Sequence, residues 1–390
     1  MTIPSLSACV RRTAEPPIPL ARTWSAAYTG EAGPPIDLTQ AVPGYPPHPE
    51  LLARLAEAAG QAWSAGYGAI EGDAGLREAL AADITRCYAA PVGAADVAIT
   101  AGCNLAFAMA ATVLAAPGEA VLLPAPWYFN HAMALDMRGV AARPLPCRAE
   151  DGFVPDPDRA AALIDATVRA IVLITPNNPT GAIYPPEVIA GFAALCRDRG
   201  LWLLVDETYR DFRPDTTAPH GLFADPSWRD FVVHLYSFSK AYCVPGHRVG
   251  AVVAGPAFRA ELDKVLDTLQ ICPSRAPQAA LAWAVEGLRR WRDGNREIMA
   301  ERAAAFRRAV APLAGWQLDA LGGYFAYLRL PDWAPPATDT AGELAARHGL
   351  MTLPGPFFGP GQDRYLRLAF ANADLPTIAG VPARLSALGK

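Results

Sequence analysis

The sequence lacks the features that mark nucleic-acid-binding and membrane proteins. It has 34 Lys and Arg against 38 Asp and Glu, a formal net charge of -4 and no basic block interleaved with aromatic residues, so we expect no nucleic-acid partner. Its longest apolar-rich stretch, "LAFAMAATVLAA", is too short to span a bilayer, and the first residues do not resemble a secretion signal. We therefore expect a cytoplasmic protein with no membrane partner.

The cysteine pattern excludes two further classes. Seven cysteines are scattered along the chain without a C-x-x-C pair, and no histidine cluster has metal-ligand spacing. We interpret them as reduced thiols and expect no structural metal. A dinucleotide-binding enzyme is also disfavoured, because no G-x-G-x-x-G follows a predicted strand.

What the sequence does contain is a long alternation of strand and helix patterns. The chain has 390 residues with 52% hydrophobic and 18% charged content, which is typical of a globular protein with a large core. Short apolar runs predict strands near 96–100, 119–124, 140–146, 170–175, 201–207, 231–237 and 248–255. Helical patterns lie between several of them, at 104–116, 128–138, 158–166 and 186–199. Buried strands with helical crossovers predict an α/β domain with a mostly parallel sheet.

The domain organisation is predicted from changes in composition along the chain. Residues 1–45, rich in proline, are expected to form an extended N-terminal arm and the start of a small domain. Residues 46–290 are expected to form the large domain. A helix predicted at 294–312 then opens a smaller α+β domain that spans 291–390.

Polar clusters follow four of the predicted strands. They are "TAGCN" (100–104), "TPNNPTG" (175–181), "VDETYRDF" (205–212) and "SFSK" (237–240). Ligands of open α/β sheets bind at the carboxyl ends of strands, so these clusters are expected to meet. Together they supply a helix N-terminus, an amide, a buried acid with a phenol, and an amine. Pyridoxal 5′-phosphate is a cofactor that requires all of these groups.

Several motifs in one order then carry a resemblance to a known family. They are "YGAIEGDAGLREAL", "APWYFNH", "NNPTG", "DETY", "SFSK" followed by "GHRVG", and "RYLRLAF", which together cover about 60–370. The sequence resembles the class I and II aminotransferases of the aspartate aminotransferase superfamily, which are fold-type I enzymes. The resemblance implies a large domain with a mostly parallel sheet flanked by helices, a smaller α+β domain, and pyridoxal phosphate as the cofactor.

The resemblance implies a role for each residue around the cofactor ring. Lys240 would form the Schiff base and later move a proton between the substrate Cα and the cofactor. Asp206 would pair with the pyridine nitrogen, and Tyr209 and Asn178 would hydrogen-bond the ring oxygen, with Asn178 also bordering the substrate. Tyr128 is our choice for the ring that stacks on the cofactor, and Trp127 is the alternative.

The phosphate site is implied at the start of the helix after the first strand cluster. Backbone N–H groups there favour an anion, and an arginine adds a charge-assisted hydrogen bond. Cys103 and Asn104 depart from the small and hydroxyl residues that are common in the family, although their backbone amides can still bind. The expected phosphate ligands are Gly102, Cys103, Asn104, Ser237, Ser239 and Arg248.

Substrate binding and assembly complete the expected site. The resemblance implies that Arg367 holds the substrate α-carboxylate through its planar fork, whereas Arg364 lies at an odd offset on the same predicted strand and faces away. Ala41 stands where many family members have a glycine that assists carboxylate binding. Tyr67 would reach the phosphate of a neighbouring subunit, which implies a homodimer with shared active sites.

The resemblance implies transfer of an amino group from an α-amino acid to a 2-oxo acid. The alternatives are a lyase, cyclase or oxidase on the same fold, because the cofactor carries the chemistry. A regulatory domain joined to a DNA-binding module is disfavoured, since only about forty residues precede the body. Apolar and aromatic segments such as "PGPFFGPG" favour neutral or aromatic amino acids as substrates.

Overall fold

The computed structural model describes residues 4–389. Residues 1–3 of the predicted arm and residue 390 of the predicted C-terminal domain lie outside the described residues. The strands are β1 Ile36–Asp37, β2 Val97–Thr100, β3 Ala120–Ala125, β4 Ala141–Pro146, β5 Val168–Ile174, β6 Trp202–Asp206, β7 Val232–Ser237, β8 Gly250–Ala254, β9 Gln317–Gly322, β10 Phe325–Arg329, β11 Leu350–Met351, β12 Leu353–Pro354 and β13 Tyr365–Leu368.

Helices separate most of these strands along the chain. They are α1 Ala8–Arg12, α2 Pro17–Ser25, α3 Pro49–Ala59, α4 Ala74–Tyr88, α5 Cys103–Leu114, α6 Phe129–Met137, α7 Pro157–Ala161, α8 Pro186–Arg199, α9 Phe238–Ala241, α10 Pro256–Gln270, α11 Arg275–Gly287, α12 Arg289–Val310, α13 Ala337–His348 and α14 Leu375–Leu385. Within residues 4–389, none of the helices has both the length and the apolar character that a membrane span requires.

The larger sheet has seven strands in the order β2-β8-β7-β6-β5-β3-β4. All of them run parallel except β8, which pairs antiparallel with both β2 and β7. Along β6, Leu203 and Val205 face one apolar core and Leu204 faces another, so the sheet is covered on both faces. This arrangement confirms the predicted α/β class with a mostly parallel sheet.

A second, antiparallel sheet follows in the order β12-β13-β10-β9. Its own apolar core includes Phe306 from α12, Leu344 from α13 and Val381 from α14. The short strand β1 pairs in parallel with β11, and Ile36 belongs to the same core. The end of the N-terminal segment is therefore packed with the C-terminal part of the chain.

The predicted helix at 158–166 is wrong in its length. The helix α7 begins after Asp156, whose side chain accepts a hydrogen bond from the Asp158 N–H at 2.8 Å, and it ends at Ala161. A turn follows, in which the Thr167 N–H donates to the Asp165 side chain at 2.9 Å, and β5 begins directly after it. An Asx turn thus competes successfully with a further helical turn.

The predicted extended conformation of the N-terminal arm is also wrong. The arm contains α1 and α2; α2 packs against α13, and its buried Ala21 lies in an apolar cluster with Phe129, Leu353 and Phe358. Pro17 occupies the first position of α2, where the missing N–H and the fixed φ of proline are compatible with a helix. Proline density therefore did not exclude helices in this segment.

Candidate active site

A cavity of about 410 Å³ lies at the carboxyl ends of the parallel strands. Asp206 at the end of β6 and Ser237 at the end of β7 reach it from the large sheet, and Arg367 on β13 reaches it from the second sheet. The predicted site residues that line the cavity are Ala41, Cys103, Asn104, Tyr128, Asn178, Asp206, Tyr209, Ser237, Ser239, Lys240, Arg248 and Arg367. Gly102 borders it through its neighbours, and Tyr67 does not line it.

Lys240 enters the cavity from the short helix that follows β7. The Ser239 N–H donates to Ser237 Oγ at 3.3 Å and starts this helix. Lys240 Nζ donates a hydrogen bond to the carbonyl oxygen of Ala41. Burial, together with the charges of Arg248 and Arg367, lowers the pKa of Lys240 to about 8. Its proton is therefore lost more readily than that of an exposed lysine, which favours the neutral, nucleophilic amine.

Asp206 is an ionised carboxylate with an exposed fraction of only 5%. Its Oδ1 accepts a hydrogen bond from the Thr208 N–H at 2.9 Å, and His131 Nε2 lies 3.3 Å from its Oδ2. Burial alone would raise the pKa of Asp206, but the hydrogen bonds from His131 and Thr208 outweigh it and lower the pKa. A buried anion beside a cavity requires a cationic partner, which a ligand can supply.

His131 is a site residue that the sequence reasoning missed. It lies on α6, and its imidazole stacks on Phe107 with ring centroids 3.8 Å apart and planes at 12°. The available signal was its position in "YFNH", three residues after Tyr128, because that spacing places both side chains on one face of a helix start. The motif by itself indicates only an aromatic ring that stacks on a ligand.

The two adjacent asparagines of "NNPTG" have different environments. Asn177 is occupied within its own loop, where its Oδ1 accepts from Thr180 Oγ1 at 2.9 Å and its Nδ2 donates to Tyr184 at 3.0 Å. Asn178 instead lines the cavity. Tyr209 also lines it and is buried against Tyr324, and burial raises the pKa of Tyr209 well above its usual range.

The predicted phosphate site has the form of an open helix N-terminus. Gly102 precedes α5 with a φ of +90°, a conformation that favours glycine, and a Cβ there would collide with the guanidinium of Arg248. A Cβ on Gly250 would lie 2.6 Å from the Cys103 nitrogen, so this glycine permits the close approach of β8. The Leu105 N–H donates to the Gly102 carbonyl at 3.1 Å, whereas the N–H groups of Cys103 and Asn104, two residues that line the cavity, have no partner within the helix.

Tyr128 and Trp127 are separated by the fold. Tyr128 lines the cavity, and its hydroxyl donates to Asn104 Oδ1 at 3.3 Å and accepts from Asn130 Nδ2 at 2.9 Å. Trp127 packs outside the lining, where its ring lies 3.1 Å from the position of a Cβ on Gly359. Of these two rings, only that of Tyr128 can therefore contact a molecule bound in the cavity of this chain.

Arg367 and Arg364 also have distinct environments. Arg367 has an exposed fraction of 2%, donates from Nη1 to Asn178 Oδ1 at 3.3 Å, and donates from Nη2 to the Thr39 carbonyl. Burial lowers the pKa of Arg367 to about 10, so it remains a cation at neutral pH. Arg364 precedes β13 and donates to backbone carbonyls, including that of Ala334 at 2.8 Å.

Two further predicted residues lie at the margins of the site. Ala41 lines the cavity without a positive φ, so alanine fits this backbone position without strain. Tyr67 has an exposed fraction of 81% and does not line the cavity of its own chain. Its loop is attached to the segment after α10, because the Gly68 N–H donates to Cys272 Sγ at 3.3 Å.

Comparison with known protein families decides what kind of enzyme carries this site. The family model described as "Aminotransferase class I and II" matches residues 34–384. The chain belongs to the class I and II aminotransferases. Membership confirms the resemblance that the sequence motifs indicated, and it makes the protein an aminotransferase.

Known relatives of this aminotransferase cover most of its length. It is 28% identical to Aromatic aminotransferase ISS1 of Arabidopsis thaliana, over 90% of this chain and 89% of that protein. It is 30% identical to Arginine–pyruvate transaminase AruH of Pseudomonas aeruginosa, over 77% of each chain.

Solved structures confirm the fold of this aminotransferase. The aspartate aminotransferase of Thermus thermophilus with maleate superimposes with a TM-score of 0.89 at 22% identity, covering 98% of this chain and 99% of that chain. Substrate-bound BacF of Bacillus subtilis gives a TM-score of 0.90 at 22% identity, with 98% of each chain covered.

Proposed function

We propose that this aminotransferase uses pyridoxal 5′-phosphate and moves an amino group from an α-amino acid to a 2-oxo acid, with Lys240 as the catalytic amine. The observation that carries the proposal is that one cavity holds a lysine with a pKa of about 8, a buried ionised aspartate and a buried arginine. The cofactor supplies an aldehyde that condenses with amines and a ring that accepts electrons from the substrate Cα.

The residues in the cavity fit this cofactor. Asp206 is a buried anion that can pair with a protonated ring nitrogen. At the other end, the absence of a Cβ on Gly102 lets the Arg248 guanidinium lie against the start of α5, where the N–H groups of Cys103 and Asn104 have no partner within the helix. Lys240 lies in the same cavity, where its amine can reach an aldehyde. Tyr209 and Asn178 would hold the ring oxygen, and Tyr128 would cover the ring.

Side chains of the protein would transfer the proton and bind the substrate carboxylate. Lys240 would accept a proton from the substrate Cα and donate a proton to the carbon of the cofactor's aldehyde group. Arg367 would hold the α-carboxylate through two parallel hydrogen bonds, and Asn178 would support that arginine from behind. These contacts fix which Cα bond is broken. Names such as transaminase among the relatives support transfer over a lyase, cyclase or oxidase reaction.

We also propose a homodimer with shared active sites. Tyr67, Leu269 and Ile271 are large apolar side chains that the single chain leaves exposed. The hydrogen bond between Gly68 and Cys272 brings the two segments together. Clustered exposed apolar groups are typical of a protein interface. A second copy of this chain would cover them and would place the partner subunit's Tyr67 near the phosphate.

We also propose a division into domains and a cellular location for the protein. A division into an arm and start of a small domain at 1–45, a large domain at 46–290 and a small domain at 291–390 is supported by the separate cores of the two sheets. A cytoplasmic location is supported by the seven cysteines, all of which are free thiols.

Amino-group transfer can be tested with isotopic nitrogen. The holoenzyme would be incubated with an amino acid labelled with heavy nitrogen and an unrelated 2-oxo acid, and the products would be analysed by mass spectrometry. We expect the label in the amino acid that corresponds to the added oxo acid. Release of labelled ammonia instead would contradict transamination and support a lyase or oxidase reaction.

A further inference from the structure

The proposed function assigns a role to every cationic side chain that lines the cavity. Three cations line the cavity, namely Lys240, Arg248 and Arg367. The proposed function uses the first as the amine, the second for the phosphate and the third for the α-carboxylate. The wall of the described cavity therefore offers no further cation to a substrate side chain.

Part of the wall beside Arg367 is apolar, although Thr39, Gln40 and Asn178 also line the cavity. The guanidinium of Arg367 lies 5.2 Å from the ring centroid of Phe358, and the Phe358 and Phe129 centroids are 5.8 Å apart. Phe129 and Ile18 line the cavity on this side. Val42 adds a third apolar side chain from the segment whose carbonyls accept hydrogen bonds from Arg367 and Lys240. A substrate held on Arg367 thus meets an apolar surface.

The packing of the helix α2 places Ile18 in the cavity wall. Ala21 is buried in a small apolar cluster with Phe129 and Phe358, and Ile18 packs against the same cluster. Arg22 lies one turn after Ile18, but it is exposed and its Nη2 donates to Gln40 Oε1 at 3.4 Å. Gln40 lines the cavity, whereas Arg22 itself does not.

We propose that the side-chain subsite accepts a neutral apolar side chain, of the aromatic or branched aliphatic class, and that Ile18 is a specificity-determining residue. The proposal rests on the proposed function, because it assumes that Arg367 binds the α-carboxylate. A second carboxylate in this subsite would be desolvated without a partner, which is strongly unfavourable. An apolar group would instead gain from burial against Ile18, Val42 and Phe129.

Two unreactive acids separate the possibilities by equilibrium binding. 3-Phenylpropanoate has one carboxylate for Arg367 and an apolar group, whereas succinate has a second carboxylate. Calorimetric titration of the holoenzyme should show 3-phenylpropanoate binding at least about 10-fold more tightly than succinate, in the range typical of pocket discrimination. Tighter binding of succinate would overturn the proposal, whichever residue or subunit supplied the cation.

Variants on α2 then test Ile18 itself. Ile18→Ala should weaken 3-phenylpropanoate binding by about 10-fold and leave succinate binding nearly unchanged. Leu20→Ala is the matched control, because Leu20 lies on the same helix but does not line the cavity. Equal effects of the two variants, or no effect of Ile18→Ala, would overturn the role of Ile18.

A further variant tests whether Arg22 contributes to the side-chain subsite. Arg22→Ala should leave the ratio of the two dissociation constants unchanged, because Arg22 itself does not line the cavity. A ratio that moves against succinate in this variant would show that Arg22 enters the subsite and would overturn the proposal. Both acids bind without turnover, so these results are independent of the isotope experiment. Failure of the proposed function would appear there, as absence of labelled product with every donor.

Discussion

Nε2 of His131 lies 3.3 Å from Oδ2 of Asp206, and the same imidazole is stacked on Phe107. The carboxylate that would face the cofactor lies at the end of β6, and a residue of the helix α6 holds it ionised in a buried position. His131 has no contact with the cavity, so it acts through Asp206 as a positioning residue.

Substitution of His131 should change the protonation of Asp206. In His131→Leu, burial would raise the pKa of Asp206, and the loss of a charged hydrogen bond should cost about 1–3 kcal/mol in free energy of unfolding. The pKa of Asp206 is lowered in the folded wild type, so its stabilisation is present above its unfolded pKa and is lost as the pH falls through the folded value. The acid-unfolding midpoint of the apoenzyme should therefore move to higher pH.

The control for this variant is His131→Gln, whose Nε2 occupies nearly the position of the imidazole donor. It should keep most of the wild-type acid stability, and both variants should be followed by circular dichroism between neutral and acidic pH. An equal shift in both variants would indicate that His131 acts by packing on Phe107 and not through Asp206.

The second prediction concerns the phosphate site. Gly102→Ala places a Cβ against the Arg248 guanidinium and should weaken binding of pyridoxal 5′-phosphate by on the order of 10–100-fold, since charge-assisted hydrogen bonds contribute about 1.5–3 kcal/mol. Pyridoxal, which lacks the phosphate, should bind both proteins alike. Fluorescence titration of the apoenzyme provides the two dissociation constants.

Gly118→Ala is the matched control for backbone strain. Gly118 has the same φ of +90°, and a Cβ there would meet nothing within 4 Å. Both variants should lose similar free energy of unfolding, but only Gly102→Ala should lose cofactor affinity. Comparable losses of affinity would mean that strain, and not the site itself, explains the result.

The third prediction separates the two arginines near β13. Arg367→Lys keeps the charge but loses the fork, so kcat/KM for α-amino acids should fall by on the order of 2–4 kcal/mol. The slow reaction of an amine that lacks a carboxylate should not change. Arg364→Lys should show the opposite pattern, with lower thermal stability and normal activity per folded site, because Arg364 bonds only backbone carbonyls. Equal losses for amines and amino acids would contradict the α-carboxylate role of Arg367.

The fourth prediction tests the shared active site. Subunits with Tyr67→Phe and subunits with Lys240→Ala would be mixed, and the heterodimers would be purified through two different tags. One site of each heterodimer then contains both lesions and the other site contains neither. We expect about half of the wild-type activity per dimer, well above either parent. Verified heterodimers without this recovery would exclude a shared site.

Much of the fold could be predicted because its signals are local. Continuous apolar runs indicated the buried strands of the large sheet, and the polar clusters after them indicated where a ligand binds. The helical arm was not predictable in the same way, because a proline-rich segment can be extended or can have proline at the first position of a helix, as Pro17 does in α2. What decides the case is the packing of Ala21 against distant residues.

The environments within the site depended on contacts that are far apart in the sequence. Which of Asn177 and Asn178 faces the cavity is decided by the bond to Tyr184 and by Arg367, and neither partner is visible in "NNPTG". The contact between His131 and Asp206 joins α6 to β6, and no local sequence pattern predicts that these two residues meet. The position of Ile18 was equally unpredictable, since only the folded arm places it in the cavity wall.

The most direct test of the central claim is the position of the covalent bond between enzyme and cofactor. The holoenzyme would be reduced with borohydride, digested and sequenced by mass spectrometry, with Lys264→Ala as a control because Lys264 is an exposed lysine paired with Glu261. We expect one pyridoxyl adduct, on the peptide that contains Lys240, in the wild type and in Lys264→Ala, and none in Lys240→Ala. An adduct on any other lysine, or no adduct in the wild type, would contradict the assignment of Lys240 as the catalytic amine.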